Sequence, residues 1–214
     1  ATDMAMAAKY RNNGQVCISP SRFYIHESKK EQFTKSFVDK TLKLKIGNGM
    51  DKDVKLGPIT TKKRLEEIEK LVELTKKEGA QILCGGKRPS GFNKGYFYEP
   101  TVFDNVKDSF TIMSEEPFGP LTPLLTFKNF DDVVKRANNQ VAGLASYVCT
   151  NSIELANKTS EALETGMVAI NTPFISSAET PFGGIKQSGY GREGGSLGIK
   201  DYLNVKYTHL GLIG

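Results

Sequence analysis

A chain of 214 residues with 38% hydrophobic content is long enough for one well-packed domain or two small ones and has the composition of an ordinary globular protein. No apolar run approaches the roughly 20 residues that a membrane-spanning helix needs, and three cysteines, odd in number and far apart, argue against both a disulfide framework and a zinc site. The net charge of +5 is carried by lysines mixed with acids, as in TKKRLEEIEKLVELTKKEG, which is the pattern of a solvated helix face rather than of a nucleic-acid surface.

Residues 1–13 have helix-forming composition, and Gly14 is a suitable stop because glycine tolerates the left-handed conformation that closes helices. Cys17 then falls in the loop that follows. RFYIHE reads as a strand, and Ser28 is the expected cap of a helix whose apolar side is Phe33, Phe37, Leu42 and Leu44. GNGMDKDVKLGP is a turn-rich connection. Thr61 should cap the next helix, in which Leu65, Ile68, Val72 and Thr75 recur at helical spacing before Gly79 ends the run. AQILCGG is a short strand with Cys84 packed as a structural thiol.

From residue 96 the pattern becomes strand (GYFYEPTVF), loop (SEEPFGP), strand (LTPLLTF), helix (DDVVKRANNQ), strand (LASYVCT), helix (SIELANKTSEALET) and strand (MVAIN). Short apolar β runs alternating with amphipathic helices predict an α/β fold, a largely parallel sheet with flanking helices, in which ligands meet the loops at strand ends. Cys149, inside one apolar run, is expected in the core. His26 and His209 lie in strand-like surroundings with no second ligand nearby, so no metal is expected. The six glycines between Gly183 and Gly195 are too irregular for a dinucleotide fingerprint or a phosphate loop. The last residues, LNVKYTHLGLIG, alternate as a strand does. With nothing left to pair to in its own domain, a strand over 204–214 is expected to find a partner chain and make a homo-oligomer.

A cysteine attacks as its thiolate, whose free pKa of about 8.5 must be lowered, or a base supplied, for work near neutrality. Arg11 and Arg22 flank Cys17 with positive charge, Gly14 permits close backbone approach, and backbone N–H groups around the cysteine are able to hold a developing oxyanion.

NNGQVCISPSR resembles the active-site cysteine segment of the aldehyde dehydrogenases, EEPFGP at 115–120 resembles their cofactor-contact segment, and ETPFGGIKQSGYGREGG at 179–195 resembles their late glycine-rich segment. The three stand in the family's order and spacing, and the resemblance covers essentially the whole chain. It implies a thiolate attack on an aldehyde to give a thiohemiacetal, hydride transfer to NAD or NADP, and hydrolysis of the resulting thioester. Cys17 is then the nucleophile and its N–H part of the oxyanion hole. Glu116 resembles the ribose-binding glutamate and Phe118 the ring near the nicotinamide; their bland alternatives are a helix-start acid and a core aromatic. Arg11 and Ser176 occupy positions where many relatives with apolar substrates carry aromatic rings. A guanidinium offers a carboxylate a bidentate, charge-assisted pair and a hydroxyl adds a hydrogen bond, with Phe182 as the aromatic wall. The pair is most similar to the succinate-semialdehyde dehydrogenase branch, although a longer or branched semialdehyde fits the same groups. The alternative for Arg11 is a helix-end cation and for Ser176 an ordinary loop hydroxyl. Ser19 stands where some members of that branch carry a second cysteine, so the corresponding redox disulfide is not expected.

The resemblance places residues 1–203 in the catalytic domain and residues 204–214 in an assembly strand. The family's glutamate base, its oxyanion asparagine and its Rossmann-type cofactor domain precede the cysteine segment. The 214 residues are therefore expected to be the back portion of a longer cytoplasmic enzyme and not to turn over alone. The competing reading is a truncated, non-enzymatic module of the same fold that serves in assembly or interaction.

Overall fold

A computed structural model describes residues 1–214. The helices are α1 (Thr2–Tyr10), α2 (Lys30–Thr41), α3 (Lys62–Lys77), α4 (Thr111–Ser114), α5 (Phe130–Asn138) and α6 (Ile153–Ala162). The strands are β1 (Phe23–His26), β2 (Gln81–Cys84), β3 (Thr101–Asp104), β4 (Leu121–Phe127), β5 (Ala142–Gly143), β6 (Ala145–Val148), β7 (Met167–Ile170) and β8 (Ile185–Lys186). One four-stranded sheet runs in the order β1-β4-β3-β2, with β1 and β3 parallel to β4 and β2 antiparallel to β3. A separate pair, β6 and β7, is parallel, and β5 with β8 forms a two-residue antiparallel ladder. The expected α/β class, largely parallel with flanking helices, is the observed one.

Alternation along the strands divides the apolar residues between two cores. Leu121 and Leu125 of β4 and Phe103 of β3 face Leu65, Ile68 and Val72 of α3, while Leu124, Val102, Phe23 and Ile25 face Tyr10 of α1 and Phe37 of α2. Phe37 is fully buried, with ring centroids 5.8 Å from Tyr10, 5.9 Å from Phe23 and 5.6 Å from Phe33. The Tyr10 hydroxyl completes the joint through contacts to the hydroxyls of Thr41 at 3.3 Å and Thr122 at 3.4 Å, so α1, α2 and β4 meet at one side chain. Burial raises its phenol well above the usual range and keeps it protonated.

Helix α3 forms as its sequence dictates. The Thr61 hydroxyl accepts from the Arg64 N–H at 3.1 Å, Leu65, Ile68, Val72 and Thr75 are buried, and Gly79 closes the run at φ +110°. The mixed charges of this helix pair across one turn, as in Arg64 with Glu67 at 3.2 Å and Lys76 with Glu73 at 2.9 Å, which keeps that face in water and contributes little to stability.

Three expectations need correction. Ser28 does not cap α2: residues 27–29 form a 3-10 turn in which the His26 ring accepts from the Ser28 N–H, so the helix begins at Lys30. Leu42 is exposed because α2 ends at Thr41 and the helical spacing stops with it. Cys149 is exposed, since β6 ends at Val148 and the thiol lies one residue beyond it. Residues 204–214 pair with no strand of this chain, and Val205, Tyr207, Leu210 and Leu212 are exposed.

The aromatic joint at Phe37 sets a stability test. Phe37→Ala should lower the unfolding free energy by about 3–5 kcal/mol, read from urea denaturation, because the surrounding rings cannot collapse into the void. A loss under about 1 kcal/mol would show that the joint does not hold α1 and α2 to the sheet.

Candidate active site at the cysteine turn

The backbone leaves α1 through Asn12 at φ +47°, Asn13 at φ +60° and Gly14 at φ +74°, three consecutive residues in the left-handed region. Such a run is costly for non-glycine residues and persists only where the surroundings over-determine it. Here side chains do so. The Asn12 amide donates to the Gln15 carbonyl at 3.0 Å and the Asn13 amide to the Gly57 carbonyl at 3.0 Å. The Gln15 side-chain carbonyl accepts from both the N–H and the hydroxyl of Thr60, at 2.8 and 2.7 Å. The segment before the cysteine is thereby bolted to the loop that leads into α3.

Cys17 occupies the first corner of a β-turn closed by the Ser19 N–H donating to the Val16 carbonyl at 2.9 Å. The Ser19 hydroxyl donates to the Lys9 carbonyl at 3.1 Å, and the Tyr147 hydroxyl of β6 donates to the Ile18 carbonyl at 2.8 Å. The thiol is exposed and free. The Cys17 N–H makes no hydrogen bond within the chain.

Glu116 and Phe118 come to this turn from another part of the chain. With Pro117 they line a narrow crevice whose other walls are Lys9, Gly14, Val16, Ser19 and Ser21. The approach depends on glycine, because a Cβ on Gly14 would stand 2.2 Å from the Gly119 carbonyl oxygen. Phe118 is held at φ +40°, a strained position for an aromatic residue, with its ring half-buried, and the Glu116 carboxylate is exposed. A free carboxylate beside a half-buried ring fits a sugar hydroxyl pair next to a flat heteroaromatic ring.

Arg11 is exposed, and its guanidinium has neither an ion-pair nor a hydrogen-bond partner, so it is free to take an anion. Arg22 is not free in that way: its guanidinium donates to the Arg136 carbonyl at 3.4 Å and the Ala137 carbonyl at 3.1 Å near the end of α5. Ser176 is exposed in the loop after β7, with no hydrogen bond to Arg11 or Cys17. Phe182 is half-buried and fixed by a bridge in which it and Glu193 exchange N–H to carbonyl bonds, each of 2.7 Å. The structure thus brings Glu116 and Phe118 into one crevice with Val16 and Ser19, the neighbours of Cys17 in its turn, keeps Arg11 on the cysteine's own segment, and leaves Ser176 and Phe182 on a separate loop.

Two residues of this site were not found from the sequence. Lys9 is 1% exposed and lines the crevice without a counter-charge; burial alone lowers its ammonium to about 7. A lysine in a mixed helix reads as solvated, and nothing in its spacing reveals that α1 turns it inward. Tyr147 reads as one more apolar residue of a strand, and only the fold places its hydroxyl at Ile18.

The family model of the aldehyde dehydrogenases matches residues 1–208. The chain is 42% identical to the mitochondrial succinate-semialdehyde dehydrogenase of Oryza sativa subsp. japonica, over 97% of this chain and 39% of that protein. It is 40% identical to the NADP(+) succinate-semialdehyde dehydrogenase of Escherichia coli (strain K12), over 99% of this chain and 44% of that one. Among solved structures, the NAD+ complex of aldehyde dehydrogenase from Bacillus cereus superposes with a TM-score of 0.93 at 40% identity, over 96% of this chain and 41% of that chain. The chain therefore spans about two fifths of the length of the relatives it matches.

Buried Lys9 makes stability depend on pH. The unfolded chain keeps the ordinary lysine value of 10.5 while the folded chain holds about 7, so between these values the unfolded chain binds the extra proton. Stability should be lowest at and below pH 7 and rise as pH increases above it. Urea midpoints at pH 6.5 and 9 should show that rise in the parent chain and its loss in Lys9→Met; an equal rise in both would mean that Lys9 is not the group responsible.

Proposed function

Because the chain belongs to the aldehyde dehydrogenase family, we propose that it carries the nucleophile and the acid-recognising part of an NAD(P)-dependent enzyme that oxidises a semialdehyde, succinate semialdehyde first among them. The observation that carries the substrate class is the exposed, unpaired Arg11 guanidinium six residues before the exposed, free Cys17 thiol. The choice of substrate rests on these side chains rather than on overall identity.

The Cys17 thiolate attacks the aldehyde carbon; a carbon–sulfur bond forms, and the carbonyl π pair moves to oxygen, where the free Cys17 N–H receives the charge. Arg11 pairs with the distal carboxylate and so fixes which end of the substrate lies at the thiol. Ser176 adds a hydroxyl to that carboxylate and Phe182 an apolar wall. Glu116 would hold the ribose hydroxyls of the cofactor and Phe118 would lie against its nicotinamide, which when bound supplies the acceptor for the hydride. Water then cleaves the acyl–sulfur bond and releases the second carboxylate. Assembly of copies through residues 204–214 is part of the same proposal: these residues present alternating exposed apolar side chains and have no ladder within the chain.

Protein expressed from its own gene should reduce NAD or NADP with succinate semialdehyde, and Cys17→Ser should abolish that reduction. Arg11→Gln should raise KM for succinate semialdehyde by roughly 10- to 100-fold, the worth of a charged hydrogen-bonded pair, while KM for butanal changes by less than about twofold. Equal changes for both aldehydes would overturn the carboxylate reading. The 214 residues alone should give no steady cofactor reduction, since the resemblance supplies no deacylating base among them; sustained turnover by this chain would contradict that.

A further inference from the structure

The Tyr147 hydroxyl reaches the cysteine turn from a different sheet. Its strand, β6, pairs only with β7, apart from the four-stranded sheet on which α1 packs. Its hydrogen bond to the Ile18 carbonyl, at 2.8 Å, therefore ties that second layer to the nucleophile's turn. Ile18 is the corner residue after Cys17, so this bond sets the peptide plane just beyond the thiol. The side before the thiol is already fixed, through the Asn13 amide at the Gly57 carbonyl and the Gln15 side chain at Thr60. With both ends fastened, the turn cannot rotate about one anchor, and the distance from Cys17 Sγ to the Arg11 side chain six residues earlier is constrained. Burial pushes the Tyr147 phenol up to about 12, so the hydroxyl stays a donor at neutral pH.

We propose that Tyr147 is a positioning residue that holds the Cys17 thiol and the Arg11 guanidinium on one side of the turn, so that one small molecule with an electrophilic carbon and a distal carboxylate meets both. The inference rests on Arg11 as the carboxylate partner. It assigns to a strand outside the cysteine segment a share in substrate selection.

Alkylation tests this on the chain itself, with no turnover needed. Iodoacetate and iodoacetamide react identically at a thiolate: a carbon–sulfur bond forms, the carbon–iodine bond breaks and iodide leaves. They differ in that only iodoacetate carries a carboxylate for Arg11. Rates at Cys17 and at the exposed Cys149 are followed by peptide mass spectrometry. The iodoacetate-to-iodoacetamide ratio at Cys17 should exceed that at Cys149, and Arg11→Gln should bring it down to the Cys149 level. Tyr147→Phe keeps the ring and loses only the hydroxyl; it should lower the Cys17 ratio by roughly three- to tenfold with the Cys149 ratio unchanged, the worth of one lost hydrogen bond. A merely structural contact would change both reagents alike and leave the ratio where it was. If Arg11→Gln collapses the ratio and Tyr147→Phe does not, the positioning role is overturned and the carboxylate reading stands. If neither variant changes it, both are overturned. If only Tyr147→Phe changes it, Arg11 is not the group being positioned and the proposal fails.

Discussion

The contact on which the site depends is between two stretches of backbone. A Cβ on Gly14 would lie 2.2 Å from the Gly119 carbonyl oxygen, and one on Gly119 would lie 2.6 Å from Ile68 Cδ1 in the core of α3. Gly14 meets backbone and has no room for a side chain at its φ of +74°, while a side chain at Gly119 would displace Ile68 in the core. The order of support therefore runs from the α3 core to Gly119, from Gly119 to Gly14, and from Gly14 to the turn that carries Cys17. Glu116 and Phe118, three and one residues before Gly119, share that support, so the proposed nucleophile and the residues proposed for the cofactor rest on one piece of packed backbone.

The same arrangement explains where the polar groups of the site find their partners. Gln15, buried at 9% exposure, makes bonds to Thr60 and Pro58 and so replaces the ladder that this irregular backbone lacks. The groups that would act on a substrate are the ones left unengaged: the Cys17 thiol and N–H and the Arg11 guanidinium. Structural side chains spend their donors inside the fold and the reactive ones keep theirs. Cys84 marks the contrast, since it is buried against Val102 and Leu124 and its thiol is pushed up to about 11, the condition of an inert cysteine.

Much of this was legible in the sequence where local rules decide the outcome. LTPLLTF became β4 at Leu121–Phe127, and the α3 face of Leu65, Ile68, Val72 and Thr75 came out as its spacing requires, with Thr61 as the cap. Three ordered motifs pointed to the cysteine turn and the Glu116–Phe118 segment, which the fold places against each other. The failures occurred where a neighbour distant in sequence decides. His26 displaced Ser28 at the start of α2, and the end of β6 left Cys149 outside. Lys9 and Tyr147 escaped notice for the same reason: their residue types suit a solvated helix and a core strand, and only the packing of α1 and β6 against the turn gives them another place.

The most direct test of this account is amide hydrogen exchange in Gly14→Ala. If the glycine contact supports the whole site, protection should fall together at Ser19, whose N–H closes the cysteine turn, at Thr60, whose N–H is held by Gln15, and at Leu121, whose N–H donates to the Gly119 carbonyl at 2.9 Å, while β6 and β7 keep theirs. Loss confined to Ser19, with Thr60 and Leu121 as protected as before, would show that the turn and the Glu116–Phe118 segment are separately supported, and the account would be wrong.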